Sequence, residues 1–282
     1  MKKLSNIYMG LVFLFLYAPI LVLVIFSFNT GGSLSSYTGF SFKWYGELFH
    51  DSVALQSLKN SLFLAFSSAA IATVLGTFAA LGLDRMKNHY LRATVESVTN
   101  IPMMNPDIVT GVSMMLFFVA VGGILGLSES LGRWTMLLAH TTFSLPYVIL
   151  SILPRFRQFD RSLTEAALDL GCTPTQSFFR VELPAILPGV ISGFIMGFTL
   201  SLDDFVISYF TSGNGFETLP IRIFGMTKKA VTPKMYALAT IIFIVTMSLL
   251  LISNLVGSDD QKKQKRVERK HKRRQAQTEK NG

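Results

Sequence analysis

The sequence predicts an all-α integral membrane protein with six transmembrane helices, on three observations. Half of the 282 residues are apolar and only 15% are charged, with a mean hydropathy of +0.45. This composition is too apolar for an ordinary soluble domain. Apolar runs of about 20 residues, long enough to cross a hydrocarbon core of about 30 Å, recur along the chain. The predicted spans are 7–28, 58–83, 106–127, 134–153, 185–210 and 235–256.

Positive charge is divided unevenly between the segments that connect these spans. An even number of spans puts both termini on one side, and that side carries 19 Lys and Arg, ten of them in residues 259–282, against seven on the other. The positive-inside rule therefore predicts a multi-pass protein of the cell (inner) membrane with cytoplasmic termini. We expect residues 1–258 to form the transmembrane domain and residues 259–282 to form a basic, disordered cytoplasmic tail.

No catalytic or metal-binding arrangement is recognisable in the sequence. The four histidines lack metal-ligand spacing, and the single cysteine excludes an internal disulfide. The chain has no Gly-x-x-x-x-Gly-Lys-Ser/Thr phosphate loop, so it is not expected to hydrolyse ATP or to hold a cofactor by itself. The basic tail predicts attraction to anionic membrane lipid rather than a nucleic-acid partner.

A short amphipathic helix is predicted in the cytoplasmic loop between spans four and five, at about residues 155–184. Ser162 and Glu165 have the spacing of a capping box, which predicts a helix that starts at Ser162. Gly171 is placed to end this helix in a left-handed conformation. The apolar residues at i, i+3, i+4 and i+7 are Leu163, Ala166, Ala167 and Leu170.

A second helix is predicted after the glycine. Thr173, Pro174 and Gln176 are a suitable N-cap, first-turn proline and capping-box partner. This helix is expected to run to about Glu182, and Pro184 then closes the unit and leads into span five. The pattern alone leaves two interpretations open, a helical pair lying at the lipid headgroups or one that contacts another protein.

The loop resembles the Glu-Ala-Ala signature of the membrane subunits of ATP-binding-cassette (ABC) importers. In that family the loop docks in a groove of a separate ATPase subunit, which binds ATP and Mg, and transmits its closure to the transmembrane helices. The resemblance implies an ATPase-docking role for Glu165, Ala166, Ala167, Gly171, Leu183 and Pro184.

The resemblance extends from span one to span six. The strings "NPDIVTGVSMMLFF", "FTLSLDDFVISYF" and "TLPIRIFGM" resemble the spermidine/putrescine importer permeases, specifically their second (C-type) membrane subunit. This implies the type I ABC importer permease (MetI-like) fold and a polyamine substrate that is moved by alternating access. It also implies a heterodimer with a second permease subunit, two copies of an ATPase subunit and an extracellular substrate-binding protein.

Two adjacent aspartates, Asp203 and Asp204, lie in the apolar run of span five. A charged side chain deep in a bilayer costs about 2.5–3.5 kcal/mol, so such residues usually face protein, water or a ligand. We expect a substrate site formed by these carboxylates with the aromatic rings of Phe205 and Tyr209, which offer cation–π faces to ammonium groups. A structural hydrogen-bond or gate role for the aspartates is the alternative.

Three other features have two interpretations each. Asp107 either starts span three, behind Asn105 as N-cap and Pro106 as first helical residue, or takes part in transport. His140 is either hydrogen-bonded inside the bundle or a proton relay. A small-residue stripe in span five packs either within this chain or against a second membrane subunit. Its members are Ala185, Gly189, Gly193, Gly197 and Ser201.

Two alternative functions are compatible with these patterns. The first is an ABC importer permease for another small solute, such as iron, phosphonate or sulfate. The second is a secondary carrier or channel that needs no ATPase. Because the chain itself has no phosphate loop, dependence of transport on a separate ATPase distinguishes the second alternative from both importers.

Overall fold

The computed structural model describes residues 2–31, 36–126, 130–228, 232–248 and 251. The predicted tail, residues 259–282, lies outside this part of the chain. The helices are α1 (Lys2–Ser27), α2 (Lys43–Phe49), α3 (Ser52–Arg85), α4 (His89–Met104), α5 (Asp107–Ile124), α6 (Arg133–Gln158), α7 (Ser162–Asp169), α8 (Pro174–Ser177), α9 (Leu183–Asp203), α10 (Val206–Thr211), α11 (Leu219–Thr227) and α12 (Pro233–Ser248).

Five helical segments of the described chain are long and apolar enough to cross a membrane. They correspond to the first five predicted spans. The sixth predicted span, 235–256, overlaps α12, which is shorter, and then runs into residues outside the described ranges. The all-α membrane architecture is therefore confirmed, and the sixth span stays a prediction.

The chain divides into two compact units. The first consists of residues 1–62 and 215–247 and contains α1, α2, the start of α3, α11 and most of α12. The second is built on residues 63–214 and contains the rest of α3 and helices α4 to α10. All of the predicted site residues belong to the second unit.

Ion pairs and caps organise the first unit. Asp51 caps α3 by accepting hydrogen bonds from the backbone N–H groups of Val53 and Ala54, both at 3.0 Å. It also accepts one from Lys234, and this bond, as the largest contribution, holds the pKa of the Asp51 carboxyl below its usual range. Ser61 accepts a hydrogen bond of 2.7 Å from the N–H of Leu219, which joins α3 to the start of α11.

The core of the second unit is built where α9 packs on α6. Four members of the small-residue stripe are buried, namely Gly189, Gly193, Gly197 and Ser201. A Cβ atom added to Gly193 would lie 3.2 Å from Cγ1 of Val148, and one added to Gly189 would lie 2.6 Å from Cγ of Arg155. Only small residues allow this close approach. The stripe thus packs within this chain, except for Ala185, which is exposed.

The fifth predicted span is not one helix, and this part of the prediction is wrong. Helix α9 ends at Asp203, the backbone of Asp204 is extended (φ −65°, ψ 125°), and α10 begins at Val206. The apolar run continues on both sides of the break, so hydropathy alone predicts one span over residues 185–210. The break sits at the paired aspartates.

The third predicted span also begins differently from the prediction. Asn105 ends helix α4, which was not predicted, and Pro106 occupies the N-cap position of α5 without a side-chain hydrogen bond. The predicted capping role of Asn105 is therefore wrong. Asp107 does lie in the first turn of α5, where a carboxylate is favourable for the helix dipole, and it is exposed.

Candidate substrate and coupling sites

Asp204 supports the break between α9 and α10. Its Oδ2 atom accepts a hydrogen bond of 2.8 Å from the backbone N–H of Ser208, and Oδ1 lies 3.4 Å from the N–H of Ile207. The Asp204 side chain is only 7% exposed. Because the first N–H groups of a helix have no partner within the helix, this carboxylate satisfies donors that would otherwise be buried and unpaired.

A chain of buried polar side chains leads from α3 to this break, and we call it the polar chain. It consists of Ser68, Ser201, His140, Ser208 and Asp204. Ser68 donates to the Ser201 hydroxyl at 3.0 Å, and Nδ1 of His140 lies 2.7 Å from the same oxygen. Nε2 of His140 lies 3.0 Å from the Ser208 hydroxyl and 3.6 Å from Oδ2 of Asp204.

The polar chain explains how a fully buried histidine is accommodated in a membrane-spanning helix. His140 is 0% exposed, and burying a polar group costs free energy unless it is hydrogen-bonded. Both ring nitrogens have hydroxyl partners on other helices. The structure thus agrees with the first interpretation of His140, a histidine bonded inside the bundle.

The other three predicted substrate residues are more accessible than Asp204. Asp203 is exposed, Tyr209 is 47% exposed and Phe205 is half-buried. The rings of Phe205 and Tyr209 lie 5.5 Å apart between centroids. The break therefore brings one accessible carboxylate and two aromatic rings into the same short stretch, while the second carboxylate is engaged inside the chain.

The cytoplasmic loop begins with a cap that differs from the predicted one. Helix α7 starts at Ser162 as predicted, but the N–H of Ser162 donates to Oδ1 of Asp160 at 3.0 Å. The predicted capping role of Ser162 is wrong, because Asp160, two residues earlier, supplies the oxygen. Hydrogen bonds from Ser162 hold the pKa of the Asp160 carboxyl below its usual range.

The turn after α7 is as predicted. Gly171 has a φ of +88°, in the left-handed region. The N–H of Cys172 donates to the carbonyl of Ala167 at 3.0 Å and that of Gly171 to the carbonyl of Leu168 at 2.9 Å, which is the pattern of a Schellman C-cap. Thr173 and Gln176 form the predicted capping box, with hydrogen bonds of 3.3 and 3.0 Å.

The end of the loop differs from the prediction. Helix α8 continues through a π-helical turn (Phe178–Glu182) directly into α9, so Pro184 does not close the unit. Pro184 lies in the first turn of α9, after the wide π turn has interrupted the regular α-helical hydrogen bonds. Its missing N–H is therefore tolerated without ending the helix.

The predicted docking residues differ in accessibility. Ala167 is buried, and Leu183 is half-buried and packs against the core cluster formed by α3, α6 and α9. The exposed members are Glu165, Ala166, Gly171 and Pro184. Two leucines of the predicted apolar stripe are also exposed, Leu163 at 52% and Leu170 at 87%. Helix α7 thus presents an apolar surface formed by Leu163, Ala166 and Leu170.

A cleft of about 220 Å³ lies behind α7. At its base Nη2 of Arg85, the last residue of α3, lies 2.8 and 2.9 Å from the two carboxylate oxygens of Glu182. Thr164 of α7 donates to Oε1 of Glu182 at 3.2 Å. Arg161 pairs with Asp84 at 3.1 Å beside this group.

Sequence reasoning missed Glu182 as a site residue, and it missed the serines of the polar chain. Their partners are distant in the sequence: Glu182 lies 97 positions after Arg85, and Ser201 lies 133 positions after Ser68. The one local signal was the placement of Ser201 and Ser208 beside the aspartates. In the described part of the chain, no three His, Cys, Asp or Glu side chains converge as metal ligands.

Comparisons with known proteins agree with this architecture. The family model described as binding-protein-dependent transport system inner membrane component matches residues 72–258. The chain is 42% identical to the spermidine/putrescine transport system permease protein PotC of Haemophilus influenzae, over 90% of this chain and 96% of that protein. It is 44% identical to the putrescine transport system permease protein PotI of Escherichia coli, over 82% of each chain.

A solved structure shares the fold. A bacterial ABC transporter chain, from a transporter involved in the import of the acidic polysaccharide alginate, superposes with a TM-score of 0.65 at 16% identity, covering 92% of this chain and 95% of that one. This likeness supports the type I ABC importer permease fold and carries no information about the solute. From the family match and the two relatives, the chain belongs to the binding-protein-dependent transport system inner membrane component family.

Proposed function

We propose that this chain is the membrane permease subunit of an ATP-driven polyamine importer, with spermidine or putrescine as substrate. The observation that carries the proposal is the similarity, over 82–90% of the chain, to two proteins named as polyamine transport permeases. An accessible carboxylate in the same short stretch of chain as two neighbouring aromatic rings, at a break in a membrane-spanning helix, supports the same substrate class, because polyamines carry several ammonium groups.

The proposed partners follow from the family. The chain forms a heterodimer with a second permease subunit, two copies of an ATPase subunit bind ATP and Mg on the cytoplasmic side, and an extracellular binding protein delivers the polyamine. The chain lies in the cell membrane with both termini in the cytoplasm, in agreement with the distribution of Lys and Arg. No cofactor belongs to the chain itself.

At the substrate site, Asp203 pairs with an ammonium group, and the rings of Phe205 and Tyr209 supply cation–π faces. Opposite charges offset part of the desolvation of both partners. The buried carboxylate of Asp204 adds negative charge near the break, and it also accepts a hydrogen bond from the first turn of α10. Because α9 and α10 meet without regular helical hydrogen bonds, small movements at this junction change which side of the membrane the site faces.

At the cytoplasmic side, α7 docks in the ATPase subunit. Its exposed apolar surface (Leu163, Ala166 and Leu170) and the exposed carboxylate of Glu165 form the contact. Ala167 and Leu183 hold the loop against the rest of the chain from behind. Closure of the two ATPase copies moves α7, and the transmembrane helices follow.

The substrate assignment is tested by replacing Asp203 with asparagine in the reconstituted complex. We expect spermidine uptake at limiting concentration to fall about tenfold, equivalent to about 1.4 kcal/mol of lost binding free energy, because one ion pair is removed. Asp203→Glu keeps the charge and should retain most of the uptake. Glu47→Gln, which neutralises an exposed carboxylate of α2, outside both proposed sites, is the matched control. Unchanged spermidine uptake by Asp203→Asn would remove this residue from the site.

A further inference from the structure

We propose that Glu182 is a positioning residue for coupling, which ties helix α7 to the cytoplasmic ends of α3 and α9. The inference rests on the proposed function, in which α7 receives the movement of the ATPase. It adds the route by which that movement enters the transmembrane helices. No such role follows from the Glu-Ala-Ala resemblance, whose residues do not include Glu182.

Three helical elements meet at the Glu182 carboxylate. Glu182 is the last residue of the π turn that precedes α9. Arg85 ends α3 and reaches both carboxylate oxygens, and Thr164, in the first turn of α7, donates to one of them. A displacement of α7 therefore acts on the ends of α3 and α9 through a single side chain.

Because the Glu182 carboxylate is buried, losing its hydrogen-bond donors would cost free energy. The Glu182 side chain is 6% exposed, whereas Arg85 is half exposed. The attraction between the two charges is weakened by solvent on the arginine side. A buried carboxylate that lost its donors would nevertheless be costly, so α7 and Arg85 are held to Glu182 when the elements move.

The position of Glu182 also connects the two candidate sites. Glu182 directly precedes α9, and Asp203 ends that helix. At 1.5 Å per residue the two residues lie about 30 Å apart along one continuous helix. The π turn beside Glu182 is a local widening of the kind often found at functional positions in helices. Movement that enters α9 at Glu182 is thus delivered to the helix break that carries the proposed substrate residues.

The proposal is tested by measuring polyamine taken up per ATP hydrolysed in the reconstituted complex. Thr164→Val removes the hydroxyl that reaches Glu182 at nearly constant side-chain volume and leaves the Arg85–Glu182 pair intact. We expect this variant to lower polyamine uptake per ATP about fivefold, which is at the low end of the range typical for coupling between two sites. Thr164→Ser, which restores the hydroxyl, should recover coupling. Glu182→Gln should lower the same ratio at least as far, because it weakens the contacts with both Thr164 and Arg85.

A matched control lies on the same side of the protein. Glu96 accepts hydrogen bonds from Arg92 at 2.9 Å and from Arg157, and so joins α4 to α6 without contacting α7. Glu96→Gln should leave uptake per ATP at the wild-type value. In each variant, copurification of the ATPase with the chain reports docking separately from coupling.

The outcomes separate this inference from the proposed function. Wild-type uptake per ATP in both Thr164→Val and Glu182→Gln would overturn the role of Glu182 while leaving docking at α7 intact. Loss of the copurifying ATPase in these variants would also overturn it, since Glu182 would then act in docking itself. If the wild-type chain takes up polyamine without any ATPase, the proposed function fails instead.

Discussion

Replacing Glu165 with lysine is expected to abolish ATP-driven uptake while leaving the chain in the membrane. Glu165 is exposed in the first turn of α7, on the helix proposed to dock in the ATPase. A positive charge there is unfavourable for the helix dipole, by about 0.3–1 kcal/mol. At a docked interface the reversed charge also replaces a charge-assisted hydrogen bond with repulsion, which costs several kcal/mol. A loss of about 3 kcal/mol corresponds to a more than hundredfold weaker complex.

The measurement is uptake into vesicles supplied with ATP, together with copurification of the ATPase. Glu47→Lys is the matched control, because it changes the charge by the same amount on an exposed residue in the last turn of α2, a helix of the first unit. A lysine in the last turn of a helix interacts favourably with the helix dipole, so this control should behave like wild type. Wild-type uptake by Glu165→Lys would exclude docking at this position.

Replacing Asp204 with alanine is expected to destabilise the protein more than any change at Asp203. The carboxylate of Asp204 satisfies the first N–H groups of α10 and lies beside His140. Its removal leaves buried donors without a partner, at a cost of about 2 kcal/mol. Because α10 then loses its N-terminal support, we also expect uptake to fall to background.

Thermal unfolding of the purified chain in detergent measures this effect. Asp204→Asn keeps one acceptor oxygen and should lose less stability than Asp204→Ala. Asp203→Ala, one residue away but exposed, serves as the control and should unfold at nearly the wild-type temperature. Equal unfolding temperatures for Asp203→Ala and Asp204→Ala would contradict a structural role for Asp204 at the break.

The local parts of the fold were accessible from the sequence. Gly171 and the Thr173–Gln176 capping box act within a few residues of chain, so their spacing was sufficient to predict them. The predicted cap of α7 was wrong, because Asp160 also has a side-chain oxygen near the start of this helix and the sequence analysis considered only Ser162. The small-residue stripe indicated close helix packing but did not identify α6 as its partner.

Features that depend on tertiary partners were not accessible. Asp204 only lowers the hydropathy of an apolar run. In the structure, however, its carboxylate stabilises the break, because it caps α10 beside a histidine from another helix. Glu182 looked like the end of a surface helix, since its partner Arg85 lies 97 residues earlier. In both cases the sequence shows a charged residue in or beside an apolar segment, but it does not show which residues that side chain contacts.

The central claim is that this chain transports polyamine only when ATP hydrolysis by a separate ATPase subunit, bound at α7, drives it. The most direct measurement is spermidine uptake into proteoliposomes that contain the two permease subunits, with or without the ATPase and ATP, and with the binding protein present in every case. The account predicts uptake only when both ATPase and ATP are supplied. Equal uptake by the permease subunits in the absence of any nucleotide-hydrolysing protein would contradict it.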